Sequence, residues 1–434
     1  MKTLMKITLA LIGFGISIAC GNLSATELPV PKISDVLRVD RDTPPSGQIA
    51  VTMTYILKTS PHNTLGDAYV IVTDQTNAGS LKSLERLSQF HHGSLIHVSD
   101  LGALLSAASE RDQLISALRD ARPRFVAIAP QRASFNINML LGMWAVLAAL
   151  GDDGQLPVFP GILAAPDPAA LDALVDRSIH YHPLPADQVR PFVMGQVLGP
   201  LPFGQRSLQK VRMMRNYFAD YGCTTHNLVI LAYTAVQRGV TVAPAPGQWQ
   251  VQMDAPNTPV PAIPSGALPA LNDASLLLMF GHGSPGTECS LDVNAFQEVA
   301  MTNKIVMSGD CFSAAPDEPG VSSPDGAGSF AMLAVANGAT VVYAHMHENS
   351  GFPNLFPTLE NWTDGLTVGE AYQRLINALI EYYQLSPSNF ISGDEGDTQA
   401  FVERANNLLY AIIGDPALQP LAKMTPVDNA SSAR

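Results

Sequence analysis

Three apolar runs, Ala274 to Phe280, Lys304 to Met307 and Ala339 to Ala344, are each short enough for a strand and too continuous to leave one face in water. Such strands must be covered on both sides, which is the condition of the central strands of a parallel sheet. Tyr69 to Thr73, Ser94 to Val98, Phe125 to Ala129 and Asn227 to Leu231 read as further strands. Helical patterns alternate with them. They cover Ser80 to Phe90, a segment after Ser109-Glu110-Arg111-Asp112 in capping-box form, one from Asp167-Pro168 towards His180, and Ser207 to Tyr221. The alternation predicts an α/β fold with parallel pairing and crossover helices. Seven prolines between Pro244 and Pro269 suit a surface excursion and not a helix.

Composition narrows the partners. The 434 residues are 47% hydrophobic and only 15% charged, which excludes disorder and leaves room for one large domain or two ordinary ones. With 25 Lys and Arg against 38 Asp and Glu, the formal charge is -13, so a nucleic-acid backbone is excluded as a partner. Four cysteines are too few for a disulfide scaffold. Lys2 and Lys6 precede an apolar stretch, Ile7 to Ala19, that ends at Cys20 and is too short to span a membrane. Ser17-Ile18-Ala19-Cys20 suits a lipoprotein signal peptidase, and cleavage after Ala25 is the alternative, giving a soluble product. The expected location is extracytoplasmic. The chain is either secreted or held in a bacterial envelope, as an outer-membrane or periplasmic lipoprotein whose only membrane contact is a lipid on Cys20. The chain divides into a leader (1–20), a lead-in (21–60), a first α/β subdomain (61–200) and a second (201–434).

Open α/β sheets place their chemistry at the carboxyl ends of strands. The first apolar run ends in Gly281-His282-Gly283-Ser284 and the second in Ser308-Gly309-Asp310-Cys311-Phe312-Ser313. On adjacent parallel strands His282 and Cys311 emerge side by side, about 5 Å apart. That is the geometry of a thiol nucleophile and the imidazole that takes its proton. Glycines beside the His let the backbone approach a substrate, with the Gly283 N–H directed at a developing oxyanion. Each residue alone reads equally as an inert thiol and a loop histidine, and the pairing favours the dyad.

An apolar block before His-Gly and another before Cys resemble the caspase-like superfamily of cysteine peptidases, and within it the gingipain family. The likeness extends over Val175-Asp176-Arg177-Ser178-Ile179-His180-Tyr181, Asn337-Gly338-Ala339-Thr340, Gly365-Leu366-Thr367-Val368-Gly369-Glu370-Ala371 and Gly414-Asp415-Pro416-Ala417-Leu418. It implies a caspase-like fold of two open, mostly parallel sheets flanked by helices, one in each subdomain. It also implies Cys311 as nucleophile, His282 as base and acid, the Gly283 and Cys311 amides as oxyanion donors, and protein or peptide substrates cleaved through a thioester. No cofactor is required, and a structural calcium ion is compatible with it. Pro157-Val158-Phe159-Pro160-Gly161 lacks the acids with which gingipains orient the His and bind a basic side chain, which puts preference for Arg or Lys in doubt; Asp152 and Asp153 are substitutes or solvated loop acids.

Rival readings use the same residues. Gly281, Gly283 and Gly286 satisfy GxGxxG after a strand, with Asp310 ending the next, as in a dinucleotide-binding enzyme, although Pro285 interrupts the turn. An inactive, peptidase-like binding protein is the other alternative. Glu288, Asp317, Glu318 and Asp325 either line a specificity pocket or are exposed loop acids. Trp249 and Trp362 are substrate walls or packing residues. His345-Met346-His347 is a weak metal pair or a loop, His91-His92-Gly93 a helix end, and Cys223 and Cys289 are paired or free.

Overall fold

The strands predicted from continuous apolar runs form, and they join others into a single sheet. The computed structural model describes residues 64–197, 203–237, 246–255, 258–284, 286–315, 329–347, 352–383 and 408–427. The leader with Cys20, and Asp317, Glu318 and Asp325, lie outside the described residues. In chain order the strands are β1 (Ala68–Thr73), β2 (Ser94–His97), β3 (Pro123–Ala129), β4 (Phe159–Ile162), β5 (Pro191–Val197), β6 (His226–Leu231) and β7 (Gln248–Gln252). They continue with β8 (Leu276–Phe280), β9 (Thr287–Glu288), β10 (Leu291–Asp292), β11 (Ile305–Ser308), β12 (Val341–His345) and β13 (Tyr410–Ile413). The helices are α1 (Ala78–Phe90), α2 (Ala108–Ala121), α3 (Ile137–Ala148), α4 (Pro168–His180), α5 (Phe203–Ala219), α6 (Tyr233–Gln237), α7 (Leu268–Asp273), α8 (Phe330–Ala336), α9 (Phe352–Thr363) and α10 (Val368–Tyr383).

Among the described residues the main sheet has 11 strands in the order β2-β1-β3-β4-β13-β12-β11-β8-β5-β6-β7. Every pairing is parallel except β12 with β13. The sheet therefore consists of two parallel halves running in opposite directions and welded at β13. This corrects the expectation of two separate sheets, because one hydrophobic core also runs through both halves. Strand direction changes between β4 and β5, so the division expected after residue 200 falls inside the second half. The proline-rich stretch contains β7, which lies at the sheet edge, where proline neighbours do least harm.

Local chemistry sets the helix ends. Asn77 accepts from the Gly79 and Ser80 N–H groups to start α1, and Asp167 with Pro168 starts α4 as predicted. The box expected at Ser109 does not form: α2 begins at Ala108, and Glu110 accepts from the Ser99 N–H (2.5 Å) and Oγ (2.7 Å) instead. A reciprocal capping box opens α10, where the Thr367 N–H donates to Glu370 Oε2 (2.8 Å) and the Glu370 N–H to Thr367 Oγ1 (3.2 Å).

The segments that carry the family likeness meet along the weld. A Cβ on Gly161 would lie 2.7 Å from the Gly414 carbonyl oxygen, and one on Gly369 would lie 2.9 Å from that of Pro416. The Gly414 N–H donates to the Ile162 carbonyl (2.7 Å), and Gly369 N–H to that of Pro416 (2.9 Å). Arg177 of α4 reaches across to the Val335 and Ala339 carbonyls, both at 3.1 Å. Asp415, 1% exposed, accepts from the Tyr69 hydroxyl (2.9 Å) and the Ala417 N–H (3.0 Å) and pairs with His91 Nε2 (2.7 Å). His91 stacks on the Tyr69 ring at 4.2 Å, so the predicted helix end is a packing site.

Removing Asp415 would leave the buried Tyr69 hydroxyl and the half-buried His91 Nε2 and Ala417 N–H without an acceptor. Asp415→Ala is expected to destabilise the fold by about 3 kcal/mol and Tyr69→Phe by about 1 kcal/mol, read from urea midpoints at a common m-value. Equal midpoints for Asp415→Ala and the unsubstituted protein would discount the weld.

Candidate catalytic site

Strands β8 and β11 pair in parallel with Leu276 opposite Ile305 and Met279 opposite Ser308. Carried past the strand ends, this register sets Gly281 level with Asp310 and His282 level with Cys311. The Gly309 N–H extends the ladder to the Met279 carbonyl (2.9 Å). A Cβ at position 283 would lie 2.3 Å from the Cys311 carbonyl oxygen, so the two loops touch through backbone and the position admits only glycine. The sequence predicts this glycine for the approach of a substrate; what approaches it in the structure is the Cys311 loop. His282 is exposed and Cys311 half-buried. The Gly283 N–H donates to no group among the described residues.

Asp310 joins the loops. Fully buried, it accepts from the Gly281 N–H through Oδ1 (2.5 Å) and from the Cys289 N–H through Oδ2 (2.6 Å), gripping the chain on both sides of His282. From the next strand, Gln196 at the end of β5 accepts the His282 N–H (2.7 Å) and donates to Ser290 Oγ (2.5 Å). Cys289 and Ser290 form the turn of the antiparallel β9–β10 hairpin and both have positive φ, 51° and 60°. Two non-glycine residues in this region are strained, and the turn persists because Asp310 holds the Cys289 N–H while the His282 carbonyl accepts the Ser290 N–H (3.0 Å). Strain is thus stored beside the candidate dyad.

Glu288, completely buried, hydrogen-bonds to Ser308 through Oε1. Burial and the adjacent Asp310 carboxyl push its carboxyl well above the ordinary 4.5. Burial also raises Asp310, while hydrogen bonds from Cys289, Gly281 and Glu288 pull it back. Glu288 is therefore the member of the pair that keeps its proton. Burial likewise raises the Cys289 and Cys223 thiols. These two and Cys311 are free, so the pairing of Cys223 with Cys289 does not form.

A cleft of about 380 Å³ opens beside His282, walled by Tyr233, Met253 and Pro259 and floored by Gln196, Ser284 and Ser290. Glu288 is beneath this surface and does not line the cleft. Trp362 is buried in the core, and Trp249 stacks on Phe192 at 6.0 Å, so both pack. Asp152 and Asp153 are exposed on the turn before β4 and do not line the cleft. His345 is buried against Tyr410 and hydrogen-bonded to the His347 carbonyl (2.7 Å). Among the described residues no three His, Cys, Asp or Glu side chains gather to hold a metal ion. No described helix is long and apolar enough to cross a membrane. The dinucleotide reading of Gly281, Gly283 and Gly286 fails on local structure: beyond these glycines the chain enters the β9–β10 hairpin, so no helix N-terminus stands ready for a pyrophosphate. Gln196 escapes a reading of the sequence because β5 is interrupted by Gly195 and Gln196, although Pro191-Phe192-Val193-Met194 is an apolar run.

No protein-family model matches the chain, and no curated protein sequence matches it. Among solved structures it is similar to the Saccharomyces cerevisiae separase–securin complex, at 15% identity and a TM-score of 0.37, over 67% of this chain but only 15% of that one. It is also similar to ornithine carbamoyltransferase from Burkholderia thailandensis E264, at 14% identity and TM-score 0.20, over 67% of this chain and 89% of that one. A GDP-L-fucose synthetase from Naegleria fowleri matches at 13% identity and TM-score 0.16, over 41% and 54% of the respective chains. Scores this low carry no argument about activity.

The raised carboxyls set a pH dependence. A carboxyl whose folded pKa exceeds its unfolded one favours the fold below the ordinary value near 4.5, and that contribution is lost as pH rises towards the folded value. Glu288→Gln keeps the shape without the proton. It is expected to flatten the fall in melting temperature as pH rises above the ordinary value near 4.5 and to raise Tm on the alkaline side by about 3 °C. An unchanged slope would remove Glu288 from this role.

Proposed function

We propose that the chain is a cysteine endopeptidase of the gingipain type, secreted or lipid-anchored through Cys20, acting on protein or peptide substrates. The observation that supports this best is the backbone contact of Gly283 with the Cys311 carbonyl at matched register, locked by Asp310. It supports the pairing because it brings together the backbones of the two loops that carry these residues.

In this reading His282 takes the Cys311 thiol proton and the thiolate attacks the scissile carbonyl carbon. The oxygen of the tetrahedral adduct accepts hydrogen bonds from the Gly283 and Cys311 N–H groups. Collapse breaks the C–N bond, and the imidazolium returns its proton to the leaving amine, which departs and leaves a thioester on Cys311. His282 then takes a proton from water as the water attacks the thioester. The second collapse releases the acid and restores the thiol. Asp310 and Gln196 touch no reacting atom and act as positioning residues.

Cys311→Ala is expected to lower peptide hydrolysis by at least about a thousandfold, and His282→Ala by a similar factor, with the melting temperature preserved. Iodoacetamide followed by peptide mapping should label Cys311 ahead of buried Cys289 and of Cys223. Hydrolysis that survives in Cys311→Ala would refute the assignment.

A further inference from the structure

The cleft beside His282 has a chemistry of its own. Its polar floor is already committed: Gln196 spends both amide atoms on His282 N–H and Ser290 Oγ, and Ser284 Oγ meets Thr287 Oγ1 at 2.7 Å. Beside exposed Thr234, the rest of the wall is apolar: Met253, Pro259 and the Tyr233 ring. Among the described residues no acid lines the cleft, and the two acids of the adjoining loops are committed elsewhere. Asp310 gives one oxygen to the Gly281 N–H and the other to the Cys289 N–H, while Glu288 is sealed against Ser308. A cationic side chain entering the cleft would therefore shed water without meeting an anion in the lining, and an ion desolvated without a partner is strongly disfavoured. An uncharged side chain would bury apolar surface against the wall at no such cost.

From this we infer that the cleft is the specificity pocket for an uncharged, mainly apolar substrate side chain flanking the scissile bond, with Met253 and Tyr233 as specificity-determining residues. The inference rests on the peptidase reading. It agrees with the doubt that Pro157-Val158-Phe159-Pro160-Gly161 casts on a preference for Arg or Lys.

Two readouts test it. Internally quenched peptides carrying Leu, Phe, Gln, Asp, Lys or Arg on either side of the cleaved bond are supplied to the full chain, and the same peptides without label are titrated calorimetrically into Cys311→Ala. At one flanking position Leu or Phe is expected to exceed Lys and Arg by roughly a hundredfold in kcat/KM, and to bind more tightly in calorimetry. Met253→Glu places a carboxylate in the wall and should shift preference towards Lys and Arg. Thr234→Glu lines the same cleft from an exposed position, and should do likewise should Met253→Glu fold poorly. Equal or tighter binding of the Lys and Arg peptides to Cys311→Ala, unmoved by either glutamate, would overturn the pocket. Selective binding without hydrolysis by the unsubstituted chain would leave the pocket standing and remove the peptidase.

Discussion

Among the described strands, the one antiparallel junction in the main sheet, between β12 and β13, is what allows everything else to be a single body. Parallel halves running in opposite directions cannot share an edge without one reversed pairing. β13 supplies that pairing to β12 and a parallel one to β4. Around it the side chains are large and closely fitted. Tyr343 and Tyr410 lie 5.3 Å apart, the Tyr372 hydroxyl bonds the Tyr410 carbonyl, and Trp144 packs edge-on against Tyr372 while donating to the Leu408 carbonyl (2.9 Å). Helix α10 adds a clamp through Gln373 and Asn377 on the Leu156 carbonyl just before β4.

Within the second half, the site depends on a buried carboxylate more than on any exposed residue. Asp310 is placed by β11, but the groups it holds come from the loop after β8 and from a hairpin 21 residues upstream. Such an arrangement fixes backbone and leaves the imidazole of His282 exposed at the surface. Rigidity beneath and freedom above are what the proposed role of His282, taking and returning protons in turn, requires.

Legibility in the sequence follows burial. β8, β11 and β12 are buried on both faces and show themselves as unbroken apolar runs, which is why His282 and Cys311 can be paired from sequence. β4 reads Phe-Pro-Gly-Ile, and the Pro and Gly argue against a strand in any local reading; their reason is the close approach of Gly414 and Pro416. Helix α3 is apolar around most of its circumference, so it shows no amphipathic stripe. The turn at Cys289 and Ser290 has no glycine to announce its positive φ, and the burial of Glu288 and Asp310 is a product of tertiary packing. Family-like segments such as Gly414-Asp415-Pro416 are visible as patterns, yet their role at the weld emerges only from what they touch.

The position of β13 late in the chain has a consequence for biogenesis. Ile413 pairs with Ile162, so the first five-strand half lacks its inner edge until β13, the last of the described strands, has emerged. A nascent chain would carry β4 with an open, aggregation-prone border while β5 to β12 are made. Long-range closure of this kind also makes refolding slow relative to a protein built from local contacts. A chain that starts to fold only after β13 has been made would close that border from the outset.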